Sequence, residues 1–308
     1  MSVSDQAVCR FDSAAMLLPG RLRELVRTLT REQRGAAEEI RLRTGRALSV
    51  LLPQGETALG GEAVTVRDIA ALVEIATGAS VHTAGAMIRQ GYIACAGGHR
   101  IGLCGSVYLN GGEVGGYSAY SSADLRIARE HRGVAEGIFP QLTRGGFAST
   151  LLVGTPGAGK TTLLRELTRL LATPARGWEG LRVSLVDERG ELAAMFQGVP
   201  QLEVGTLTDV LDGCPKARGV MTVLRAMNPQ VIALDEITDP QDVTAISVAA
   251  NCGVALLATA HASGVDELLR RPLYSRLLSQ GIFENLVFVR QINGVRRYEV
   301  RRAGETVC

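Results

Sequence analysis

Gly154-Thr155-Pro156-Gly157-Ala158-Gly159-Lys160-Thr161 sets glycines ahead of a lysine and a hydroxyl residue in the spacing G-x-x-x-x-G-K-[ST]. The chemistry open to such a run is phosphate binding. Gly157 and Gly159 let the backbone turn its N–H groups inward onto phosphate oxygens. The N-terminus of a following helix adds partial positive charge at the same spot. Lys160 supplies a mobile cation for the β- and γ-phosphates, and Thr161 offers a hydroxyl to Mg²⁺. The segment Gly154 to Thr162 is therefore the candidate binding loop, with ATP and Mg²⁺ as the expected ligands.

Two acidic runs fit the same chemistry. Val231-Ile232-Ala233-Leu234 reads as a buried strand, and Asp235 and Glu236 follow at its C-terminal end, where ligands bind in open α/β sheets. Asp235 is expected to hold Mg²⁺, mainly through its water shell, and Glu236 to polarise the attacking water. Asp187-Glu188-Arg189 closes another apolar strand. Its carboxylates offer a second acidic group near the γ-phosphate, while a surface turn held by an Asp187–Arg189 pair accounts for the same residues without chemistry. Thr259-Ala260-His261 ends a further strand, where His261 is placed either to sense the γ-phosphate or simply to be satisfied by hydrogen bonds. Arg126, Arg129 and Arg189 are the candidates for an arginine that completes the site.

The elements needed to position these residues are legible in the hydrophobic periodicity. Thr150–Val153 reads as a strand, and Lys160–Ala172 as a helix with Leu163, Leu164, Leu167 and Leu171 on one face. Strands at Arg182–Val186, Val231–Leu234 and Val254–Ala258 alternate with helices at Pro215–Met227 and Pro240–Cys252. This is a doubly wound α/β pattern with a parallel sheet. A β-hairpin, Asn285–Val289 and Arg297–Val300 around Asn293-Gly294, ends the chain. The preceding half reads as a smaller α+β domain with an antiparallel sheet. It has a helix over residues 20–34, strands at Glu39–Arg43 and Leu48–Leu52, and a helix at Val66–Thr77 stopped by Gly78. A glycine-studded strand region follows from Tyr92 to Leu109, turning at Asn110-Gly111-Gly112, with a further alternating segment from Ser122 to Arg129. A linker at Arg144-Gly145-Gly146 divides residues 1–144, a sensing or docking domain, from residues 145–308, the nucleotide-binding domain.

Composition narrows the function classes. The chain has 308 residues, 46% hydrophobic and 21% charged, a globular balance, and only 4% aromatic. The net charge of +2 arises from 33 basic and 31 acidic residues, so a dedicated nucleic-acid binder is disfavoured. Six cysteines show neither Cys-x-x-Cys nor metal spacing and are expected to be reduced and mostly buried. No signal peptide is apparent. The uncharged stretch from Val243 to Ala260 reads as a core helix and strand rather than a membrane span.

The order of P-loop, Asp187-Glu188-Arg189, Asp235-Glu236 and His261 resembles the traffic ATPases of type II and type IV secretion. A closer resemblance, to the stage III sporulation protein AA family, covers nearly the whole chain. It rests on Glu38-Glu39-Ile40-Arg41-Leu42-Arg43-Thr44-Gly45-Arg46, Gly97-Gly98-His99-Arg100-Ile101-Gly102, Val186-Asp187-Glu188-Arg189, Asp209-Val210-Leu211-Asp212, Cys214-Pro215-Lys216-Ala217, Arg225-Ala226-Met227-Asn228-Pro229 and Ala258-Thr259-Ala260-His261. The family usually reads Asp-Glu-Ile-Gly at the second motif, whereas this chain has Asp235-Glu236-Ile237-Thr238. The resemblance implies a RecA-like P-loop motor that assembles as a homo-hexamer. It implies a cytoplasmic protein, peripheral at the mother-cell membrane facing the forespore, acting with integral membrane channel proteins of the same operon. A nucleic-acid-handling ATPase that binds single strands is the alternative. The near-neutral charge and the lack of an aromatic-interleaved basic patch speak against it.

Overall fold

The computed structural model describes residues 3–78, 85, 87–292 and 295–305. They form two compact units, Met1–Arg129 with Ala194–Gln201, and Glu130–Ala193 with Leu202–Cys308. Residues 130–144 lie in the second unit.

The first unit is built on an antiparallel sheet of six strands in the order β3-β2-β1-β6-β5-β4. These are β1 (Glu39–Arg43), β2 (Ser49–Leu52), β3 (Gly55–Ala58), β4 (Tyr92–Ala94), β5 (Arg100–Asn110) and β6 (Glu113–Arg126). β1 shows the alternation expected of a half-covered sheet, with Ile40 and Leu42 fully buried and the charged residues between them turned outward. The apolar face packs with residues of α1 (Val3–Ala15), α2 (Gly20–Arg27) and α4 (Val66–Thr77), including Phe11, Leu22, Ile69 and Leu72. The sequence reading misses α1, although Val8, Phe11, Ala14 and Ala15 recur at helical spacing and are buried. It also joins α2 to α3 (Arg31–Ala36) as one helix. Thr30 restarts the helix instead: its hydroxyl accepts from the Gln33 N–H while the Gln33 side chain accepts from the Thr30 N–H, a capping box. His99 is buried in this unit, its Nδ1 accepting from the Ala128 N–H at 3.1 Å, and burial pushes the imidazole down to about 4.

The second unit carries a seven-stranded sheet ordered β11-β8-β12-β13-β7-β14-β15. Its strands are β7 (Thr150–Gly154), β8 (Val183–Asp187), β11 (Thr208–Asp212), β12 (Val231–Leu234), β13 (Ala255–His261), β14 (Asn285–Ile292) and β15 (Val295–Arg302). All pairings are parallel except that of β15 with β14. A short hairpin, β9 (Met195–Phe196) with β10 (Val199–Pro200), belongs to the first unit although it follows β8 in sequence.

β7, β8 and β12 are buried along their whole length, which is why they read as continuous apolar runs. Helices cover both faces. Leu163, Leu164 and Leu167 of α6 (Lys160–Leu171) are fully buried, and α6 packs on β7 and β13. Val220 and Val223 of α7 (Lys216–Ala226) and Ile246 of α8 (Pro240–Asn251) cluster with alternate residues of β7, β8, β12 and β13. Three further helices, α5 (Phe139–Thr143), α9 (Val265–Arg270) and α10 (Pro272–Ser279), and β11 are absent from the sequence reading. The turn at Asn293-Gly294 lies outside the described residues.

The cysteines depart from expectation: Cys95 is buried, Cys214 is intermediate, and Cys9, Cys104 and Cys252 are exposed. Cys308 lies outside the described residues. No helix among the described residues is long and apolar enough to cross a membrane.

Candidate nucleotide site

The parallel strands deliver their C-terminal ends to one edge of the sheet. β7 runs into the glycine loop and α6, with Gly154 registered beside His261 of β13. β12 ends at Leu234, immediately before Asp235, and β8 ends at Asp187. At the mouth of α6 Gly159 has φ +97°, a left-handed conformation that a side chain would strain, and an added Cβ would stand 2.7 Å from the Arg296 Nε of β15. The loop is therefore glycine at this point for its backbone angle; the Arg296 guanidinium is the far end of a flexible side chain and can move aside.

Lys160 is buried and donates from Nζ to the Thr155 carbonyl at 3.0 Å. The bond folds the side chain back over the loop, with two further ammonium donors left. Burial pulls its pKa down, while the nearby carboxylates of Glu236 and Asp235 oppose the shift.

Asp235 is held from three sides. Thr161 Oγ1 donates to its Oδ2 at 3.2 Å, although the two residues are 74 apart in sequence. Thr259 Oγ1 donates to Oδ1 at 2.6 Å, and the Glu236 N–H reaches the same oxygen at 2.9 Å. Thr259 is fully buried on β13 and also accepts from the Glu236 N–H at 2.9 Å, so one hydroxyl fixes both acidic residues. Glu236 Oε1 lies 3.3 Å from His261 Nδ1. In sequence Thr259 stands only in Thr259-Ala260-His261 at a strand end, and nothing there pairs it with Asp235.

The run Asp187-Glu188-Arg189 is arranged differently. Asp187 is buried and accepts from the N–H groups of Glu191, Leu192 and Ala193 at 2.9, 3.0 and 2.8 Å. Burial pushes its carboxyl up, and these three donors oppose the shift. Arg165 of α6 secures the same loop by donating to the carbonyls of Glu191 and Leu192 at 2.6 and 2.7 Å. Asp187 is thus a loop clamp, in place of the Asp187–Arg189 turn considered from sequence. Glu188 pairs with Lys216 of α7. Gly219, one turn along α7, is required by the packing: an added Cβ would meet Val186 Cγ1 at 2.5 Å. A cavity of about 210 Å³ brings together Thr161, Asp187, Glu188, Arg189, Glu191, Lys216, Asp235, Glu236 and His261.

Two of the candidate arginines lie in the first unit. Arg126 pairs with Glu39 and Asp124, and Arg129 donates to the carbonyls of Gly35 and Ala37.

The residues fit Mg²⁺ with a nucleotide phosphate. The donor set offers one hydroxyl and one carboxylate in contact, beside a helix N-terminus and a lysine. Among the described residues no group of three or more His, Cys, Asp or Glu is placed to hold a metal by itself. A metal here depends on phosphate oxygens and water for its remaining positions, which is how Mg²⁺ is commonly held beside phosphates.

The family model for sporulation stage III, protein AA matches residues 10–299. The chain belongs to this family. Stage III sporulation protein AA of Bacillus subtilis (strain 168) is 34% identical over 280 residues, 91% of each chain. Family membership thus spans both units, as the resemblance in the motifs implied. Among solved structures, the Legionella pneumophila ATPase DotB aligns with a TM-score of 0.57 at 16% identity, over 86% of this chain and 76% of that one. The pilus retraction motor PilT with bound ADP aligns with a TM-score of 0.58 at 16% identity, over 92% of this chain and 82% of that one. The second unit accordingly has the RecA-like P-loop fold. At the family's Asp-Glu-Ile-Gly position, Thr238 shows no positive φ, so the turn does not require glycine, and the Thr238 N–H donates to Asp242 at 3.2 Å.

Proposed function

We propose that this protein is a Mg²⁺-dependent ATPase of the secretion-motor type acting in endospore formation. The observation that carries the reading is the Thr161–Asp235 contact under the N-terminus of α6, which joins the glycine loop to the acidic end of β12. The sporulation role rests on family membership and on the likeness to the Bacillus subtilis protein.

In this reading the backbone N–H groups of Gly154 to Thr162 hold the phosphates, and Lys160 shifts from Thr155 to the β- and γ-phosphate oxygens. Thr161 and Asp235 hold Mg²⁺, which when bound neutralises charge on the phosphates. Glu236, fixed through its own N–H by Asp235 and Thr259, orients and polarises the attacking water. His261 steadies Glu236 and faces the γ-phosphate. The first unit serves sensing or docking, the ring is a homo-hexamer, and its partners are integral membrane proteins of a channel between mother cell and forespore. The RecA-like fold supports assembly, since such motors commonly complete the site with an arginine from a neighbour.

Steady-state hydrolysis of ATP by the full chain, with and without Mg²⁺, tests the core of this. Glu236→Gln should keep nucleotide binding and lose about 10²–10⁴-fold in turnover, the usual share of a general base. Wild-type turnover in that variant would remove Glu236 from its role and leave Glu188 as the first alternative.

A further inference from the structure

Lys216 is in a position that helix stability does not explain. It is the first residue of α7, where a cation faces the positive end of the helix dipole. Its side chain is only 9% exposed, so the ammonium has also lost most of its water. Both effects disfavour lysine unless anions meet it. Glu188 supplies one, but its own side chain is 34% exposed and turns toward the cavity. The close seat of α7 on β8, which Gly219 permits, carries Lys216 to the C-terminal end of the sheet. There it shares the cavity with Thr161, Asp235, Glu236 and His261.

The other acidic groups at this edge are already engaged. Asp187 binds three backbone N–H groups, and Asp235 binds Thr161 and Thr259. A nucleoside triphosphate adds several negative charges to a cavity rich in carboxylates. Lys160 can answer them only from the glycine loop. The β8–α7 wall has its own buried cation, on a flexible stem with three donors.

We propose that Lys216 binds the terminal phosphate of ATP, turning an N–H from Glu188 to a γ-phosphate oxygen, and so distinguishes ATP from ADP. This rests on the ATPase reading above. Lys216 would thus be a specificity-determining residue, and Glu188 the anion that holds it in readiness when no γ-phosphate is present. No bond is made or broken in this exchange; one hydrogen-bonded ion pair replaces another.

Calorimetric titration of the full chain with ADP and with the β,γ-imido analogue of ATP, in Mg²⁺, tests it. The wild type should bind the analogue more tightly than ADP. Lys216→Gln should weaken the analogue about tenfold or more, as expected for a lost charge-assisted hydrogen bond, and leave ADP unchanged. Lys216→Arg should recover part of the preference. Glu188→Gln should strengthen the analogue selectively, because it removes the competing anion. Lys160→Ala should weaken both ligands, which separates the glycine loop from Lys216. Preference for the analogue kept intact in Lys216→Gln would overturn the proposal. So would equal loss of both nucleotides in that variant, which marks a purely structural lysine. If Lys216→Gln does not fold, Glu188→Gln decides, and an unchanged or weaker preference there overturns the proposal. A wild-type protein that binds neither nucleotide refutes the ATPase reading itself, and this inference with it.

Discussion

β8 and β12 lie side by side in the sheet, run parallel, and are each followed or closed by Asp-Glu. At the end of β8 the aspartate faces backbone: Asp187 binds the N–H groups of Glu191, Leu192 and Ala193 and shapes a loop. At the end of β12 the aspartate faces hydroxyls: Asp235 meets Thr161 and Thr259, side chains that can yield to a metal and its water. The glutamates differ in the same way. Glu188 has a buried lysine as partner and Glu236 a histidine. The same dipeptide thus becomes a structural clamp or a site for chemistry according to what the next strand brings alongside. β13, which adjoins β12 but not β8, brings Thr259 and His261.

The comparison is sharpest where the two aspartates are changed alike. Asp235→Asn should leave the fold intact and lower ATP turnover by about 10³-fold or more, the several kcal/mol that a lost metal contact represents. Removing Mg²⁺ with a chelator should match it in the wild type. A small effect on turnover would erase the distinction between the two strand ends. Asp187→Asn should instead act on stability, by about 1–3 kcal/mol, since an amide NH2 in place of one carboxylate oxygen leaves buried backbone N–H donors without an acceptor. Chemical denaturation reads this directly, and unchanged stability with lost turnover would make Asp187 part of the chemistry.

His261→Ala should cost roughly three- to tenfold in turnover with nucleotide affinity kept, the worth of one polar contact that steadies Glu236. The smallest effect concerns pH. Burial raises the Asp187 carboxyl above its ordinary 3.8, so the native state holds this proton more tightly than the unfolded chain. Stability from this group is therefore present below about pH 4 and declines as pH rises through the folded pKa. Asp187→Asn should flatten that portion of a pH–stability profile, and an unaltered slope would place the titration elsewhere.

The sequence is most transparent where local chemistry and element order coincide. The glycine loop, α6, β12 and the parallel order of the second unit all follow from continuous apolar runs and one dense motif. Less was visible where partners come from distant elements. Thr259 holds Asp235 across 24 residues and Arg165 grips the Asp187 loop across 26 and 27, pairings with no periodic signature. Lys216 appears in sequence only as part of Cys214-Pro215-Lys216-Ala217, and its value lies in burial beside Glu188. β11 is half-exposed and reads Thr-Asp-Val-Leu-Asp, without a period-two alternation, which is a weak strand signal. The β9–β10 hairpin joins the first unit from within the second half of the chain, an arrangement that no linear division into domains can express.

The central claim, that the glycine loop is an ATP site, is tested most directly by calorimetric titration of ATP, with Mg²⁺ present, into a Glu236→Gln parent whose turnover is blocked and into the same parent carrying Lys160→Ala. The account predicts saturable binding in the parent and a loss of about a hundredfold or more in the lysine variant, because the ammonium is the loop's principal mobile charge on the phosphates. Equal affinity in the two proteins would contradict it.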